Sequence, residues 1–310
     1  MTNRELLDRY DSFFGKGVSN KLIESVRLYS KNQFIRINLS KVSIKEIEDF
    51  LIKNRVKFSK TFFLNAFKIE KSFFNITSSI EAISGKIYMQ DLASQIPINT
   101  IDFESLKTMK KIRVLDMAAS PGSKTTQIVD LLNYHKIDYE IVALEPEEKR
   151  LTKLINNIQK QDFENIKIIN CLGEEFNDEK KFDIILLDAP CSGNLVGDSN
   201  WLNKRDINGI EKNSALQKKL LKNGAKLLNE NGILIYSTCS LEVEENELNV
   251  DWILKSSKLK TFRPKINFGF NTKPLSIVRE KQLDDGVKNC IRIMPYESKT
   301  QGFFVCCFKN

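Results

Sequence analysis

Residues 113–127 read R-V-L-D-M-A-A-S-P-G-S-K-T-T-Q: an apolar run, a turn of small residues, then a stretch compatible with a helix. Strand, small-residue turn and helix in that order bring backbone N–H groups close to a nucleotide-like ligand at the carboxyl end of a strand in an open α/β sheet. Further apolar runs follow at 140–144 (E-I-V-A-L), 166–170 (I-K-I-I-N), 183–188 (D-I-I-L-L-D) and 233–237 (I-L-I-Y-S). Helical patterns lie between them. At 146–160, Pro146 takes a first helical position with Glu147 and Glu148 in the first turn, and at 214–229 Leu216, Leu220, Leu221, Ala225 and Leu228 recur at helical spacing. This alternation predicts a mostly parallel sheet with crossover helices. Two β-rich runs close the chain, C-I-R-I-M-P at 290–295 and G-F-F-V-C-C-F at 302–308. The link between them permits a hairpin but no helix, so the last strand is expected to be antiparallel.

The first 85 residues read differently. Helical patterns at 3–12 and about 21–30 lead into F-I-R-I-N-L at 34–39, a helix at 43–54 and the aromatic stretch T-F-F-L-N-A-F-K at 61–68. The expected division is a small α/β accessory domain over 1–85 and a larger α/β domain over 86–310, with a soft boundary. A chain of 310 residues is long enough for both.

Composition narrows the class. At 41% hydrophobic and 28% charged, the chain reads as globular. No stretch approaches the roughly 20 apolar residues of a spanning helix, and M-T-N-R-E-L-L-D-R-Y lacks the apolar core of a signal peptide, so a cytoplasmic location without membrane contact is expected. The six cysteines form no C-x-x-C pair, and the single histidine, His135, sits in what reads as a surface connection. Neither a metal site nor a disulfide framework is expected, and thiol chemistry here must work without a Cys-His pair. The net charge of +8 suggests a polyanionic partner. Segment 258–281 concentrates Lys258, Lys260, Arg263, Lys265, Lys273, Arg279 and Lys281 beside Phe262, Phe268 and Phe270. It reads equally as a nucleic-acid surface or as a basic linker with core-facing aromatics.

Three ligands compete for the loop at 116–127. A P-loop needs glycines where Ala118 and Ser123 stand, and a dinucleotide fingerprint needs three glycines where only Gly122 is present. S-adenosylmethionine carries no pyrophosphate and requires closeness without a phosphate nest. Glu145, ending the second strand, then falls where an acid accepts from both ribose hydroxyls, although an ordinary first-turn acid would stand there too. Two further turns carry cysteines at strand ends, F-D-I-I-L-L-D-A-P-C-S-G at 182–193 and G-I-L-I-Y-S-T-C-S at 232–240. Either cysteine alone reads as a small hydrophobe in a tight turn. Together, beside Asp188 at one sheet rim, Cys191 and Cys239 read as a catalytic arrangement.

With these motifs in order, the chain resembles the Sun/Nop family of RNA cytosine-5 methyltransferases. The resemblance spans roughly 34–310 and rests on D-M-A-A-S-P-G-S-K-T-T-Q, D-A-P-C-S-G, S-T-C-S followed by Glu244-Glu245-Asn246, the closing Gly302-Phe303-Phe304, and G-K-I-Y-M-Q-D-L-A-S at 85–94. It implies a Rossmann-like methyltransferase domain, with a mostly parallel seven-stranded sheet whose last strand is antiparallel, after a small domain like an RNA-recognition motif. It also implies S-adenosylmethionine held by Ala118, Ala119, Ser120, Pro121, Gly122, Ser123, Lys124, Glu145, Arg150 and Asp188, without a metal. Cys239 is implied as the nucleophile that adds to carbon-6 of cytosine, Cys191 as the group assisting the later stage, Asp188 as the partner of the N3 and amino edge, and Lys124 as the nearby cation. The compact length is most like archaeal-type transfer-RNA enzymes, with ribosomal RNA as the alternative substrate; no exposed coiled-coil pattern asks for a partner, so a monomer is expected. Departures are Leu172 where the family has an acid for adenine, with Asn170 or Glu174 as substitutes, Ser123 for a glycine, and Glu297 and Gln301 before G-F-F.

Overall fold

Ile112, Val114 and Leu115 are buried in the strand Ile112–Asp116, whose neighbour Tyr139–Leu144 runs parallel to it and pairs in turn with parallel Ile166–Ile169. The computed structural model describes residues 3–194, 196–198 and 200–310, and these divide into two compact units, 32–173 and 1–31 with 174–310. In the first unit the helices Ser123–Tyr134 and Glu148–Gln161 make the crossovers between the parallel strands. The crossover helix Glu148–Gln161 buries only Leu154, Ile158 and Gln161, a narrow stripe on an otherwise charged helix.

The same unit contains a four-stranded antiparallel sheet ordered Lys57–Lys60, Ala66–Lys71, Gln33–Ile37, Ile87–Met89. Its chain order is strand, helix, strand, strand, short helix, strand, the pattern of an RNA-recognition motif. The helix Ile44–Lys53 starts at a capping box, Ser43 with Glu46, and buries Ile47 and Leu51 against Ile35, Ile37, Phe67 and Ile69. The strand Ile87–Met89, beyond residue 85, completes this sheet beside Gln33–Ile37.

In the second unit Phe182–Asp188 and Leu228–Thr238 are parallel neighbours, and Phe303–Lys309 pairs antiparallel with Leu228–Thr238. Ile291–Ile293 pairs antiparallel with Phe303–Lys309, the closing hairpin that the sequence permits, and Lys260–Phe262 is an additional strand beside it. The strands are therefore those of a mostly parallel Rossmann-like sheet with an antiparallel closing strand, as the sequence predicts. The helices Asn3–Phe14 and Val18–Tyr29 belong to this unit, not to the small sheet. Their Leu6, Tyr10, Val18 and Leu22 form one buried cluster with Trp201, Ile210, Leu241 and Met294.

Three local expectations change. Pro146 precedes the N-cap Glu147 and does not open the helix, because the Glu145 carboxylate accepts the Glu147 N–H (3.0 Å) and Asn170 binds the Pro146 carbonyl (3.0 Å), holding 145–147 as a turn. The helix placed at 214–229 begins at Ile207, where Asp206 caps it through the Gly209 N–H, and ends at Leu227, with Leu228 already in the next strand. The link before the closing strand does hold one helical turn, Pro295–Ser298, opened by its proline and closed by Lys299 in the left-handed region (φ 59°).

Arg292 and Glu247 form a fully buried bidentate pair, with Arg292 Nε 2.7 Å from Glu247 Oε1 and Arg292 Nη1 donating to the Leu241 carbonyl (3.0 Å). Removing one partner strands the other charge in the interior. Glu247→Ala is expected to lower the unfolding free energy by about 3–5 kcal/mol, read from urea titration.

Candidate active site

The loop after the first parallel strand is shaped from inside. Asp116, buried at the strand end, accepts from Thr125 Oγ1 (2.7 Å) and from the Ala118 N–H (3.4 Å), tying the loop's entry to the first turn of the helix Ser123–Tyr134. The Ala119 N–H donates to the Leu144 carbonyl (2.9 Å) and the Gly122 N–H to the Ala119 carbonyl (2.7 Å), which closes the turn Ala118–Gly122. Gly122 is the N-cap at φ 102°, and a Cβ there would lie 3.0 Å from Leu154 Cδ1. Both conformation and space require glycine.

Glu145 is buried at the end of Tyr139–Leu144. Its Oε1 accepts from Glu147 N and its Oε2 lies 3.4 Å from Arg150, whose guanidinium also donates to the Ser120 carbonyl (3.1 Å). Ser120 Oγ answers on the Arg150 carbonyl (2.8 Å), so Arg150 braces the loop against Glu145. Lys124 is buried in the first turn of the helix with its Nζ 3.3 Å from Ser94 Oγ. Leu172 is exposed, and the Asn170 amide donates to the Glu145 and Pro146 carbonyls, which directs its donors to the backbone and away from any ligand.

In the other unit, Asp188 and Ser237 are register partners at the carboxyl ends of the two parallel strands, and Ser237 Oγ donates to Asp188 Oδ1 (2.7 Å). The turns that follow bring Cys191 Sγ and Cys239 Sγ to 3.3 Å. Ser192 Oγ and Ser240 Oγ are 3.0 Å apart. The hydrogen bond to Cys239, then burial, then the electrostatic interactions with Cys239 and Glu245 push the Cys191 thiol well above its ordinary range, so it stays protonated.

Three side chains fix these turns without having been assigned a role from sequence. Asn194 donates to the Cys239 carbonyl (2.7 Å) and the Gly302 carbonyl (3.1 Å). Asn246 accepts from Thr238 Oγ1 (2.6 Å) and donates to the Ser240 carbonyl (2.9 Å), bracketing Cys239 on both sides. Glu245, buried, accepts from the Ser192 N–H (3.0 Å) and from Gln217 Nε2 (2.9 Å), and burial raises its carboxyl above the usual range. Their signals were the Glu245-Asn246 pair that follows S-T-C-S and the asparagine just past D-A-P-C-S-G. Asp116, inside the quoted loop motif, was likewise missed.

Outside these groups, His135 stacks on Phe103 and pairs with Glu104 (3.2 Å). In the basic segment Arg263 binds the Cys290 carbonyl and Thr272, Arg279 pairs with Glu244, and Phe268 is buried, while Lys258, Lys260, Lys265 and Lys273 are exposed. Among the described residues no group of three or more His, Cys, Asp or Glu side chains could hold a metal ion, and no helix is long and apolar enough to cross a membrane.

A Rossmann-like sheet with a glycine-turned loop after its first strand and a buried acid at the end of its second is the architecture of the S-adenosylmethionine-dependent methyltransferases. Residues 104–309 match the family described as 16S rRNA methyltransferase RsmB/F, and the chain belongs to that family. It is 30% identical to a tRNA (cytosine(49)-C(5))-methyltransferase of Pyrococcus abyssi, over 98% of this chain and 94% of that one. It is 36% identical to the ribosomal RNA small subunit methyltransferase F of Aeromonas hydrophila over 55% of this chain, which spans only 36% of that protein. Among solved structures, a methyltransferase homolog from Pyrococcus horikoshii superposes with a TM-score of 0.83 at 29% identity, covering 98% of this chain and 93% of that one. The chain is an S-adenosylmethionine-dependent RNA (cytosine-5) methyltransferase.

The residues of the first unit fit the methyl donor. The turn Ala118–Gly122 is closed by backbone bonds with glycine at the left-handed position, where a Cβ would crowd Leu154, and the Glu145 carboxylate stands braced beside it. Gly122→Ala is expected to weaken S-adenosylmethionine binding about tenfold, by forcing a side chain into the left-handed region and against Leu154. Isothermal titration measures it.

Proposed function

We propose that the chain methylates carbon-5 of a cytosine in transfer RNA through a covalent bond between Cys239 and carbon-6. The observation that carries the chemistry is the thiol pair at 3.3 Å, in which the contact with Cys239 raises the Cys191 pKa. A Cys191 thiol that holds its proton beside the second sulfur favours the thiolate on Cys239, the form that attacks.

The steps assigned to this chain's residues are as follows. The Cys239 sulfur bonds to carbon-6 and the carbon-5–carbon-6 double bond opens, making carbon-5 electron-rich. Asp188, steered by Ser237, holds the N3 and amino edge where charge develops. S-adenosylmethionine, held by residues 118–124, Glu145, Arg150 and Asp188, supplies an electrophilic methyl group when bound. Once Cys239 is bonded to carbon, the largest of the causes that raise the Cys191 pKa is removed and that pKa falls, while burial and Glu245 still hold it up in part. Cys191, having released its own proton to solvent, then takes the carbon-5 proton; the electron pair of that carbon–hydrogen bond restores the ring double bond, the carbon-6–sulfur bond breaks and Cys239 leaves as thiolate. Lys124 is assigned the positive field that stabilises the thiolate. The target base leaves its stack to reach the thiol, at a cost of about a few kcal/mol, which favours weakly paired positions.

We assign RNA binding to the accessory domain within 1–85 and methyl transfer to 86–310, acting as a monomer in the cytoplasm. The net charge of +8 and the exposed lysines of 258–273 support a polyanionic substrate. Transfer RNA is favoured because the chain matches nearly the whole of the Pyrococcus abyssi tRNA enzyme. Ribosomal RNA is the second reading, favoured by the identity to the Aeromonas enzyme. Methyl transfer from labelled S-adenosylmethionine to separate pools of unmodified transfer RNA and ribosomal RNA, with nucleoside analysis, tests both. Labelled 5-methylcytidine in transfer RNA alone is the expected result, and label in ribosomal RNA alone selects the second reading.

A further inference from the structure

Arg36 lies in the strand Gln33–Ile37 of the four-stranded sheet and is fully buried. Its guanidinium donates to the Ser123 carbonyl (2.7 Å), to Gln90 Oε1 (2.5 Å) and to Thr126 Oγ1 (3.0 Å), and it lies over the Tyr88 ring at 5.0 Å. Ser123 and Thr126 belong to the first turn of the helix that follows the donor loop, and Ser123 is the residue after Gly122. Phe34, two residues earlier on the same strand and face, is also buried. In an RNA-recognition motif this sheet face stacks bases. Here its central strand is covered by the donor-loop helix.

We propose that Arg36 is a positioning residue for the methyl donor, which sets the orientation of the first-turn amides of the donor loop from the accessory sheet. A trans peptide points its carbonyl and the next N–H in opposite directions. Arg36 draws the Ser123 carbonyl toward the sheet and so turns the Lys124 N–H the other way. Burying a guanidinium is costly, and an apolar side chain of similar size would seal sheet against helix without that cost. What the arginine adds is direction, two donors on two acceptors of one helical turn. Burial lowers its pKa to about 10, with the charge of Asp130 opposing, so it remains charged at neutral pH.

The inference rests on residues 118–124 being the donor loop. In the full-length protein, Arg36→Met and Arg36→Lys are expected to raise the KM and Kd for S-adenosylmethionine about tenfold, with kcat at saturating donor and the KM for RNA within about twofold of the parent. Thr126→Val, which removes one acceptor and leaves the arginine in place, is expected to give a smaller shift of the same kind and keeps the test open if Arg36→Met fails to fold. An unchanged donor affinity with a lowered melting temperature, or a rise in the KM for RNA alone, would overturn the assignment. Gly122→Ala separates the two layers of the inference. If it weakens donor binding and the Arg36 variants do not, the role of Arg36 falls alone; if none of them does, it falls together with the donor loop.

Discussion

Cys239→Ala is expected to reduce methyl transfer to RNA at least about 10⁴-fold, to the background of the assay, while donor affinity and melting temperature stay near those of the parent. Carbon-5 of cytosine is too weak a nucleophile to take a methyl group without prior addition at carbon-6, so no other residue replaces the lost sulfur. The turn itself survives the change. Its shape is held through the Cys239 carbonyl by Asn194 and through Thr238 and Ser240 by Asn246, none of which involves the thiol. Label transfer, titration of the donor and thermal melting, run side by side, separate loss of chemistry from loss of structure. Near-normal turnover by Cys239→Ala would remove the covalent mechanism.

Cys191→Ala is expected to have the opposite signature, a covalent enzyme–RNA adduct that persists through denaturing electrophoresis, with turnover lowered by about 10²–10⁴-fold. Its thiol is the group whose pKa falls when Cys239 becomes bonded, so without it the methylated adduct forms and is not resolved. The double variant is expected to form no adduct. Adduct from Cys239→Ala and none from Cys191→Ala would exchange the two roles, placing the nucleophile in the Pro-Cys turn. The pH dependence carries the same logic. In the parent the Cys191 thiol is held protonated by its contact with Cys239, and in Cys239→Ala that cause is absent. Cys191 should therefore react with a thiol reagent at lower pH in Cys239→Ala than in the parent, which alkylation rates followed by mass spectrometry would register.

What could be read from the sequence was what is encoded locally. The loop at 116–127 is legible because strand end, turn glycine and helix start are consecutive residues, and the two thiols are legible because each follows an apolar run of strand length. The clamps around them are not, because Glu245 reaches Ser192 across 53 positions and Asn194 reaches the Cys239 carbonyl across 45. A single sequence carries no mark of such a pairing. The apolar stripes of the first two helices were visible too, but a stripe says that a face is covered and not by what. Proximity in sequence suggested the small sheet, and the covering residues are Trp201, Ile210, Leu241 and Met294. Pro146 misled for a related reason. A proline before two acids reads as a helix start, and only the Glu145 side chain, folded back onto the Glu147 N–H, makes it part of a turn.

The docking of the first helix also bears on how the chain is made. Arg9 pairs with Glu242 and Glu244, and Tyr10 donates to Glu242 at 2.7 Å, partners up to 235 positions away. At about 5–20 residues per second, the ribosome delivers those glutamates roughly 12–47 s after it has delivered the arginine. Until Trp201, Ile210, Leu241 and Met294 have been made, the stripe of Leu6, Tyr10, Val18 and Leu22 lacks the residues that cover it, whereas the strand pairings within residues 32–173 involve only residues made earlier. Residues 3–29 are thus among the last of these segments to reach their place, and a holdase that shelters amphipathic segments would raise the yield of this protein by acting on that stretch.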